Sequence, residues 1–165
     1  MNEPVTLIDN KPEESYTVTI KPKGPMILCA EDLPFNRFAI KHVFEAELGL
    51  FANQFMIVEN GKQAIDEVVK QSQSFNKLKL VLLDYNMPKY NGLEALGWIQ
   101  QYYEENEISN RPIFAFLSAY IPDREKAKAM DLGASIFLEK PIDPEKIREL
   151  MLNAGISLLP VAKGQ

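Results

Sequence analysis

The chain has 165 residues, 46% of them hydrophobic and 25% charged, which is the composition of one globular domain that can bury a core. Its formal net charge of −5, without a cluster of basic residues, argues against nucleic acid as a direct partner. The single cysteine, Cys29, excludes an internal disulfide and favours a reducing, cytoplasmic location. We expect no membrane partner, because no apolar run could span a bilayer and the first residues do not resemble a signal peptide.

Residues 1–24 differ in character from the rest of the chain. They contain three prolines and show no helical period, which predicts an N-terminal extension or linker. One piece of this stretch, Tyr16–Lys21, alternates apolar and polar residues and could instead form an edge strand. The change of pattern predicts a domain boundary between residues 24 and 25.

From residue 26 onward, short apolar runs alternate with amphipathic segments. Short apolar runs that are bounded by breaks are typical of buried strands. The predicted strands are Met26–Ala30, Phe55–Val58, Leu78–Leu83, Ile113–Leu117 and Ser135–Leu138. Each run is followed by a segment with the apolar spacing of a helix. Five strands that alternate with five helices predict an α/β domain, in which helices cover both faces of a parallel sheet.

Residues with strong conformational preferences predict several helix ends. Gly49 and Gly133 are expected to stop the first and the fourth helix, because glycine readily adopts the left-handed conformation found there. Asp143 is expected to cap the fifth helix, with Pro144 at the first helical position.

Three further predictions concern individual side chains and one loop. His42 lies off the apolar stripe of the first helix, so we expect it to be exposed. The fourth helix is predicted to run over residues 123–132 and to bury the apolar side chains at helical spacing, Ala127, Met130 and Ala134. The acidic segment Glu104–Arg111 is predicted to be a solvated loop.

Every predicted strand is followed by polar side chains, and those after the first, third, fourth and fifth strands form a chemically matched set. Leu80 to Leu83 run straight into Asp84, and Pro88 requires this strand to end before it. The carboxyl ends of parallel strands lie at one edge of the sheet, which is where ligands bind in folds of this type. The side chains expected to converge at this edge are Glu31, Asp32, Asp84, Ser118 and Lys140.

The types of these side chains suit phosphoryl transfer. Adjacent carboxylates repel one another unless a cation joins them, and Mg²⁺ prefers an open set of oxygen ligands. No histidine or cysteine follows these strands, which argues against zinc. A carboxylate can act as a nucleophile and carry an aspartyl phosphate. Lys140 would neutralise the charge of the phosphoryl group, and Ser118 could donate a hydrogen bond to it.

These residues resemble the receiver domain of two-component response regulators. The motifs that carry the resemblance, over residues 25–154, are Glu31-Asp32, Leu83 to Pro88, Asn91-Gly92, Leu117-Ser118-Ala119 and Glu139-Lys140-Pro141. The resemblance implies a flavodoxin-like, doubly wound (βα)5 fold with the strand order 2-1-3-4-5. It also implies that residues 25–155 form the receiver domain and residues 156–165 a C-terminal tail.

The resemblance implies a role for each side chain at the sheet edge. Asp84 would accept the phosphoryl group, and Lys140 would bind it. Glu31, Asp32 and Asp84 would hold Mg²⁺, together with the backbone carbonyl of Asn86. The protein would then promote its own phosphorylation and dephosphorylation, and it would not be an enzyme that acts on other molecules.

The resemblance also implies a switch and a set of partners. Ser118 would be the switch hydroxyl, and Phe137 would be the aromatic switch residue. The phosphoryl donor would be a phosphohistidine of a histidine kinase or of a histidine phosphotransfer protein. The fourth helix, the fifth strand and the fifth helix could form a homodimer. The run from Glu31 to Arg37 is similar to receivers of hybrid histidine kinases, so we expect either a stand-alone receiver or a piece of such a kinase.

Two other functions are compatible with parts of the pattern. A degenerate receiver that acts only as a protein-interaction module would share the fold. A phosphatase of the haloacid dehalogenase type also uses an aspartate at a strand end, but it needs a second acid two residues later, where this chain has Asn86. The phosphoacceptor function is favoured because all five positions at the sheet edge retain suitable chemistry.

Overall fold

The structure is a computed structural model that describes residues 24–75 and 78–158. Its strands are β1 Ile27–Ala30, β2 Phe55–Val58, β3 Leu80–Asp84, β4 Ile113–Ser118 and β5 Ala134–Glu139. Its helices are α1 Pro34–His42 with a π-helical continuation over Val43–Glu47, α2 Gly61–Ser72, α3 Gly92–Glu105, α4 Asp123–Asp131 and α5 Pro144–Asn153. The possible edge strand at Tyr16–Lys21 lies outside the described residues.

The strands form one parallel sheet in the order β2-β1-β3-β4-β5, which confirms the predicted doubly wound fold. The central strand is β3, and all of its residues are buried. Ala30 pairs with Leu83, and Asp84 pairs with Leu117, so β1, β3 and β4 end at nearly the same level. The strand order reverses between β1 and β3, which places a crevice at the carboxyl edge of these two strands.

Helices cover both faces of the sheet, and each face has its own hydrophobic core. Successive side chains of a strand point to opposite faces. Leu80 and Leu82 therefore pack with α1 and α5, whereas Val81 and Leu83 pack with α2, α3 and α4. Burial of each such side chain contributes about 2 kcal/mol, so the end of β3 is firmly held. Cys29 is fully buried in β1, as predicted, and burial raises the pKa of its thiol.

The structure confirms the predicted helix ends. Gly49 and Gly133 have φ values of 68° and 94°, which only glycine adopts without strain. The Asp143 side chain accepts a hydrogen bond from a backbone N–H in the first turn of α5, and Pro144 is the first residue of this helix. His42 is exposed, as its position off the apolar stripe predicts.

The prediction for the buried face of α4 is wrong. Met130 is 50% exposed and Ala127 is also exposed, whereas Ala129 is buried. Ala134 is buried as well, but as the first residue of β5. The error arises because a few alanines and one methionine in a very polar helix do not define an apolar stripe, and the third residue counted, Ala134, lies beyond the turn at Gly133.

The predicted boundaries of α3 and β3 also need correction. The helix α3 continues to Glu105, so it takes up the start of the predicted loop Glu104–Arg111. Arg111 is tethered at the other end of this loop, because it donates a hydrogen bond to Gln100 (2.9 Å) and lies 5.4 Å from the centre of the Tyr103 ring. The strand β3 begins two residues later than predicted and includes the aspartate at its end.

Candidate functional site

Three carboxylates meet where β1 and β3 end. Glu31 and Asp32 follow β1 directly, and Asp84 is the last residue of β3. Each residue offers one oxygen atom, and these atoms all lie within 4.8 Å of one another. Glu31 is fully buried and Asp84 is 4% exposed, whereas Asp32 is partly exposed. The fold thus brings together the three acids that the sequence places at this edge, two inside the protein and one near its surface.

Hydrogen bonds hold both carboxylate oxygens of Glu31. Oε1 accepts from the backbone N–H of Leu33 (3.2 Å) and from the side-chain amide of Asn36 (3.0 Å). Oε2 accepts from Nζ of Lys140 at 2.5 Å. A buried carboxylate is tolerated only when its charge is paired and its oxygens accept hydrogen bonds, and these three donors meet that need.

Lys140 joins the two buried carboxylates. Its Nζ lies 2.5 Å from Oε2 of Glu31 and 3.0 Å from Oδ2 of Asp84. Its backbone N–H donates to the carbonyl of Ser118 (3.2 Å), which ties the end of β5 to the end of β4. Burial alone would lower the pKa of Lys140, but the hydrogen bonds and charges of Glu31 and Asp84 outweigh it. The pKa is therefore raised, and the lysine is a cation at neutral pH.

The carboxyl group of Asp84 has an unusual environment for an aspartate. Burial raises its pKa to about 6, although the hydrogen bond and the charge of Lys140 act in the opposite direction. The charge of Glu31 adds to the increase, and the backbone N–H of Asn86, 3.2 Å from Oδ1, lowers the pKa slightly. Asp84 is thus ionised at neutral pH but poorly solvated, which suits a nucleophile.

The two predicted switch residues lie on β4 and β5, and each has a partner of its own. Ser118 is the last residue of β4, and its Oγ donates to the carbonyl of Tyr120 (2.7 Å) and accepts from the N–H of the same residue (3.1 Å). Its hydroxyl is therefore engaged with the loop after β4 and not with Asp84. The half-buried Phe137 stacks on Phe116, with ring centroids 5.6 Å apart.

Gly92 holds the start of α3 close to the end of β3. Its N–H donates to the carbonyl of Tyr85 (2.9 Å). A Cβ atom at Gly92 would lie 2.4 Å from the carbonyl oxygen of Asp84 and 2.8 Å from the ring of Phe116. The sequence marked Gly92 only as part of the Asn91-Gly92 motif, but the structure shows that the absence of a side chain is required for this close packing.

Asn36 and Arg37 of α1 also belong to the site, and sequence reasoning missed both roles. Asn36 bonds to Glu31, as described above. Arg37 reaches back over the turn that precedes the helix, where Nη1 donates to the backbone carbonyls of Glu31 (3.1 Å) and Asp32 (2.6 Å). Its Nη2 lies 3.2 Å from Oε1 of Glu59, in the loop after β2. Both residues lie in the run from Glu31 to Arg37, which is similar to receivers of hybrid histidine kinases. This similarity is the sequence signal that could have marked them.

An exposed apolar surface adjoins the site on the side of α1. Leu33, Phe35 and Phe38 are 55%, 81% and 73% exposed, respectively. A cavity of about 420 Å³ lies beside the two phenylalanines, and its lining extends to Glu31 and Lys140. Exposed apolar patches of this kind mark interaction sites. Both phenylalanines fall outside the predicted buried stripe of α1, which is a sequence signal for such a surface.

The residues at this site fit a hard divalent cation. Three carboxylate oxygens within 4.8 Å of one another are ligands of the kind that Mg²⁺ prefers. Lys140 contacts two of the three carboxylates, so one ammonium group faces three acids and negative charge remains in excess. Asp32 is partly exposed, which suits an ion that keeps several water ligands.

Comparisons with known proteins agree with this geometry. The sequence model of the response regulator receiver domain matches residues 27–152. The chain is 29% identical over 150 residues to the sensor histidine kinase GacS of Pseudomonas protegens, and 30% identical over 125 residues to the hybrid signal transduction histidine kinase I of Dictyostelium discoideum. These alignments cover 90% and 76% of this chain but 15% and 7% of the two kinases, so the chain spans a small part of the curated relatives that it matches.

One solved structure shows the same fold. The chain is similar to a chain in the co-crystal structure of the Saccharomyces cerevisiae histidine phosphotransfer signaling protein Ypd1 and the receiver domain of its downstream response regulator Ssk1. The TM-score is 0.64 at 22% identity, and the alignment covers 87% of this chain and 97% of that chain. Fold and site thus define a receiver-like α/β domain with an acidic cluster at its carboxyl edge.

The chain belongs to the response regulator receiver domain family, whose sequence model matches most of its length. It is accordingly a receiver domain of phosphorelay signalling, related to the receivers of hybrid histidine kinases. Among the residues that the structure describes, no helix has the length and apolarity needed to cross a membrane.

Proposed function

We propose that Asp84 accepts a phosphoryl group from a phosphohistidine and that the domain relays this signal by changing its conformation. The observation that carries the proposal is the 3.0 Å contact of Lys140 Nζ with Oδ2 of Asp84, next to two further carboxylates. A poorly solvated nucleophile, a cation for the phosphoryl oxygens and a set of metal ligands are the parts that phosphoryl transfer to a carboxylate needs.

In this reaction an oxygen atom of Asp84 attacks the phosphorus atom of the donor. A new O–P bond forms while the N–P bond to the donor imidazole breaks, and the imidazole leaves with the electron pair of that bond. Lys140 already lies between Asp84 and Glu31, so its ammonium group can move onto a phosphoryl oxygen and neutralise the added charge. Water would later hydrolyse the aspartyl phosphate, so the domain is the substrate of this chemistry and not an enzyme for other molecules.

The metal part of the proposal assigns Mg²⁺ to Glu31, Asp32 and Asp84, with the backbone carbonyl of Asn86 as a further ligand. When bound, this ion supplies charge neutralisation for the phosphoryl oxygens. The mutual proximity of the three carboxylate oxygens supports the assignment. We expect the substitution Asp32→Ala to abolish Mg²⁺ binding in a calorimetric titration, and unchanged affinity would contradict the assignment.

The switch part of the proposal concerns Ser118 and Phe137. To donate to a phosphoryl oxygen, the Ser118 hydroxyl must give up the hydrogen bond that it donates to the carbonyl of Tyr120. This exchange would pull the loop between β4 and α4 toward Asp84. Phe137 would turn further inward from its stacked position on Phe116 and so alter the surface of α4, β5 and α5. A homodimer through these three elements is one way to transmit the change.

The partner part of the proposal names a histidine kinase or a histidine phosphotransfer protein as the donor. A protein that delivers its imidazole to Asp84 must cover the surface around the site. The exposed side chains of Leu33, Phe35 and Phe38, which adjoin the acidic cluster, provide an apolar surface for this contact. The similar receiver of Ssk1 was crystallised with a histidine phosphotransfer protein, which supports a donor of this class.

The domain limits and the location complete the proposal. We place the receiver at residues 25–155, after an extension or linker at 1–24 and before a tail at 156–165. Ile156 packs in the hydrophobic core beneath α5, so the first residue of the tail is itself anchored. A cytoplasmic location suits both a single buried cysteine and a phosphohistidine donor.

Labelling with a small phosphoryl donor tests the phosphoacceptor role. We incubate the full chain with Mg²⁺ and acetyl phosphate and measure the intact mass. The native chain should gain one phosphoryl group, and Asp84→Asn should gain none. Asp131→Asn is a matched control, because it makes the same change at an exposed position on α4 and should be labelled like the native chain.

Two outcomes would argue against this role. If the Asp84→Asn variant were labelled to the same extent as the native chain, a residue other than Asp84 would be the phosphoryl acceptor. Absence of labelling in a folded native chain, with acetyl phosphate and with a phosphohistidine donor, would favour the domain as an interaction module without phosphoryl chemistry.

A further inference from the structure

Arg37 makes an unusual set of contacts for a side chain near the surface. Its side chain is 21% exposed, and its guanidinium group lies over the turn between β1 and α1. The group donates from Nη1 to the carbonyls of Glu31 and Asp32, at 3.1 and 2.6 Å, and pairs through Nη2 with Glu59 at 3.2 Å. A planar guanidinium with several fixed donors suits two successive carbonyls and a carboxylate, whereas the compact ammonium group of a lysine does not.

The two carbonyls that Arg37 binds flank a predicted metal ligand, Asp32. They belong to the peptide groups on either side of the Asp32 Cα atom, and the orientation of these two groups sets the φ and ψ angles of Asp32. Apart from the hydrogen bond that the Leu33 N–H donates to Oε1 of Glu31, the start of α1 gives this turn little support. Pro34 has no N–H to donate, and Leu33, at the N-cap position, makes no side-chain capping hydrogen bond.

We propose that Arg37 is a positioning residue for the metal site. By holding both peptide groups that flank Asp32, it directs the Asp32 carboxylate toward those of Glu31 and Asp84. Its pairing with Glu59 anchors the guanidinium to the loop after β2 and so fixes the turn to a second element. This inference rests on the proposed Mg²⁺ site, and it adds a residue that controls how well the site is formed before the ion arrives.

Loss of the charge of Arg37 and loss of its hydrogen bonds should change the affinity for Mg²⁺ in opposite directions. Arg37 is a cation near the acidic cluster, so removal of its charge alone should strengthen the binding of another cation. Loss of its hydrogen bonds frees the turn and should weaken binding. The substitution Arg37→Lys keeps the charge and loses the planar fork, whereas Arg37→Met loses both. The pair therefore separates positioning from electrostatics.

The test is a calorimetric titration of the full chain with MgCl₂ alone. We expect both Arg37→Lys and Arg37→Met to bind Mg²⁺ about tenfold more weakly than the native chain, as is typical when a residue that orients a metal ligand is removed. Lys41→Met is the matched control, because it removes a positive charge from the exposed surface of the same helix. It should change the affinity by less than about twofold. Thermal unfolding curves establish that each variant is folded at the titration temperature.

A second measurement separates weaker Mg²⁺ binding from a slower phosphoryl-transfer step. We follow the rate of labelling by acetyl phosphate as a function of Mg²⁺ concentration. The Mg²⁺ concentration at half-maximal rate should rise about tenfold in Arg37→Lys, while the rate at saturating Mg²⁺ stays within about twofold of the native value. Partial unfolding would also raise the half-saturation point, because Mg²⁺ binds only the folded chain, so the rates are measured at a temperature at which the unfolding curves show the variant to be folded.

The outcomes distinguish this inference from the proposed function. If the native chain and Arg37→Lys bind Mg²⁺ equally, or if Arg37→Met binds it more tightly, the positioning role is overturned and the phosphoacceptor role is untouched. If the native chain itself binds no Mg²⁺, both the positioning role and the metal part of the proposed function are overturned.

Discussion

The two halves of the carboxyl edge are built differently. Around β1 and β3, Glu31 and Asp84 are buried and are joined by Lys140, and the strand beneath them is buried on both faces. Around β4 and α4, the hydroxyl of Ser118 bonds only to its own loop among the described contacts, and Ala129 is the one buried residue within the described helix α4. The first half can hold a reacting group still, while the second can move at low cost in free energy.

The largest expected difference between the halves is in the free energy of unfolding. Leu82, in the middle of β3, is fully buried, and Leu82→Ala should lower this free energy by about 3 kcal/mol. Met130, on α4, is 50% exposed, and Met130→Ala should change it by less than about 0.5 kcal/mol. Urea denaturation measures both. If the two variants lost equal free energy of unfolding, α4 would be packed as tightly as the central strand, and the two halves of the edge would not differ as described.

A second pair of variants probes the contact between α3 and the end of β3. Gly92→Ala should cost about 2 kcal/mol, because its Cβ would lie 2.4 Å from the carbonyl oxygen of Asp84 and the strand end cannot yield. Gly97→Ala, in the same helix, meets its nearest atom, of Leu132, at 3.9 Å and should stabilise the protein by about 0.5 kcal/mol. Urea denaturation again provides the readout. A tolerated Gly92→Ala would mean that the strand end moves more freely than its burial suggests.

A smaller change in the free energy of unfolding is expected at alkaline pH, from a tyrosine on the well-packed side of the sheet. Tyr103 of α3 is 2% exposed, and burial raises its pKa to about 12, although Arg111 acts in the opposite direction. Since the folded-state pKa lies above the ordinary value of 10.0, the stability from this group is fully present below pH 10 and is lost as the pH rises through about 12. By pH 12 the loss amounts to about 2 kcal/mol.

Tyr103→Phe removes the ionisable group and tests this assignment. The difference in unfolding free energy between the native chain and Tyr103→Phe should be constant below pH 10 and should shift in favour of the variant above it. Parallel pH profiles of the two proteins up to pH 12 would show that Tyr103 does not ionise differently in the folded and unfolded states.

Most of the fold could be predicted because its strands are unusually clear in the sequence. The apolar run that leads into Asp84, with Pro88 after it, defines the buried central strand, and similar runs define the other four. Since parallel strands share a carboxyl edge, the sequence pattern placed Glu31, Asp32 and Asp84 at one edge of the sheet, and the resemblance supplied the strand order that makes β1 and β3 neighbours. The face of α4 could not be predicted, because alanines and one methionine in a very polar helix do not define a stripe.

The finer features of the site depend on atoms whose positions only the fold determines. Arg37 binds two backbone carbonyls, and no pattern of side chains reveals such a contact. The same holds for Gly92, where the decisive neighbour is the carbonyl oxygen of Asp84. The hydroxyl of Ser118 bonds to the backbone of Tyr120 because of the local turn, so its orientation was equally hidden.

The most direct test of the central claim is to locate the phosphoryl group. Borohydride reduces an aspartyl phosphate to homoserine, so peptide mass spectrometry of the labelled and reduced chain identifies the modified residue. We expect homoserine at Asp84 alone, in a yield that matches the gain in intact mass. Modification at Asp32 or at another carboxylate, with Asp84 intact, would contradict the account.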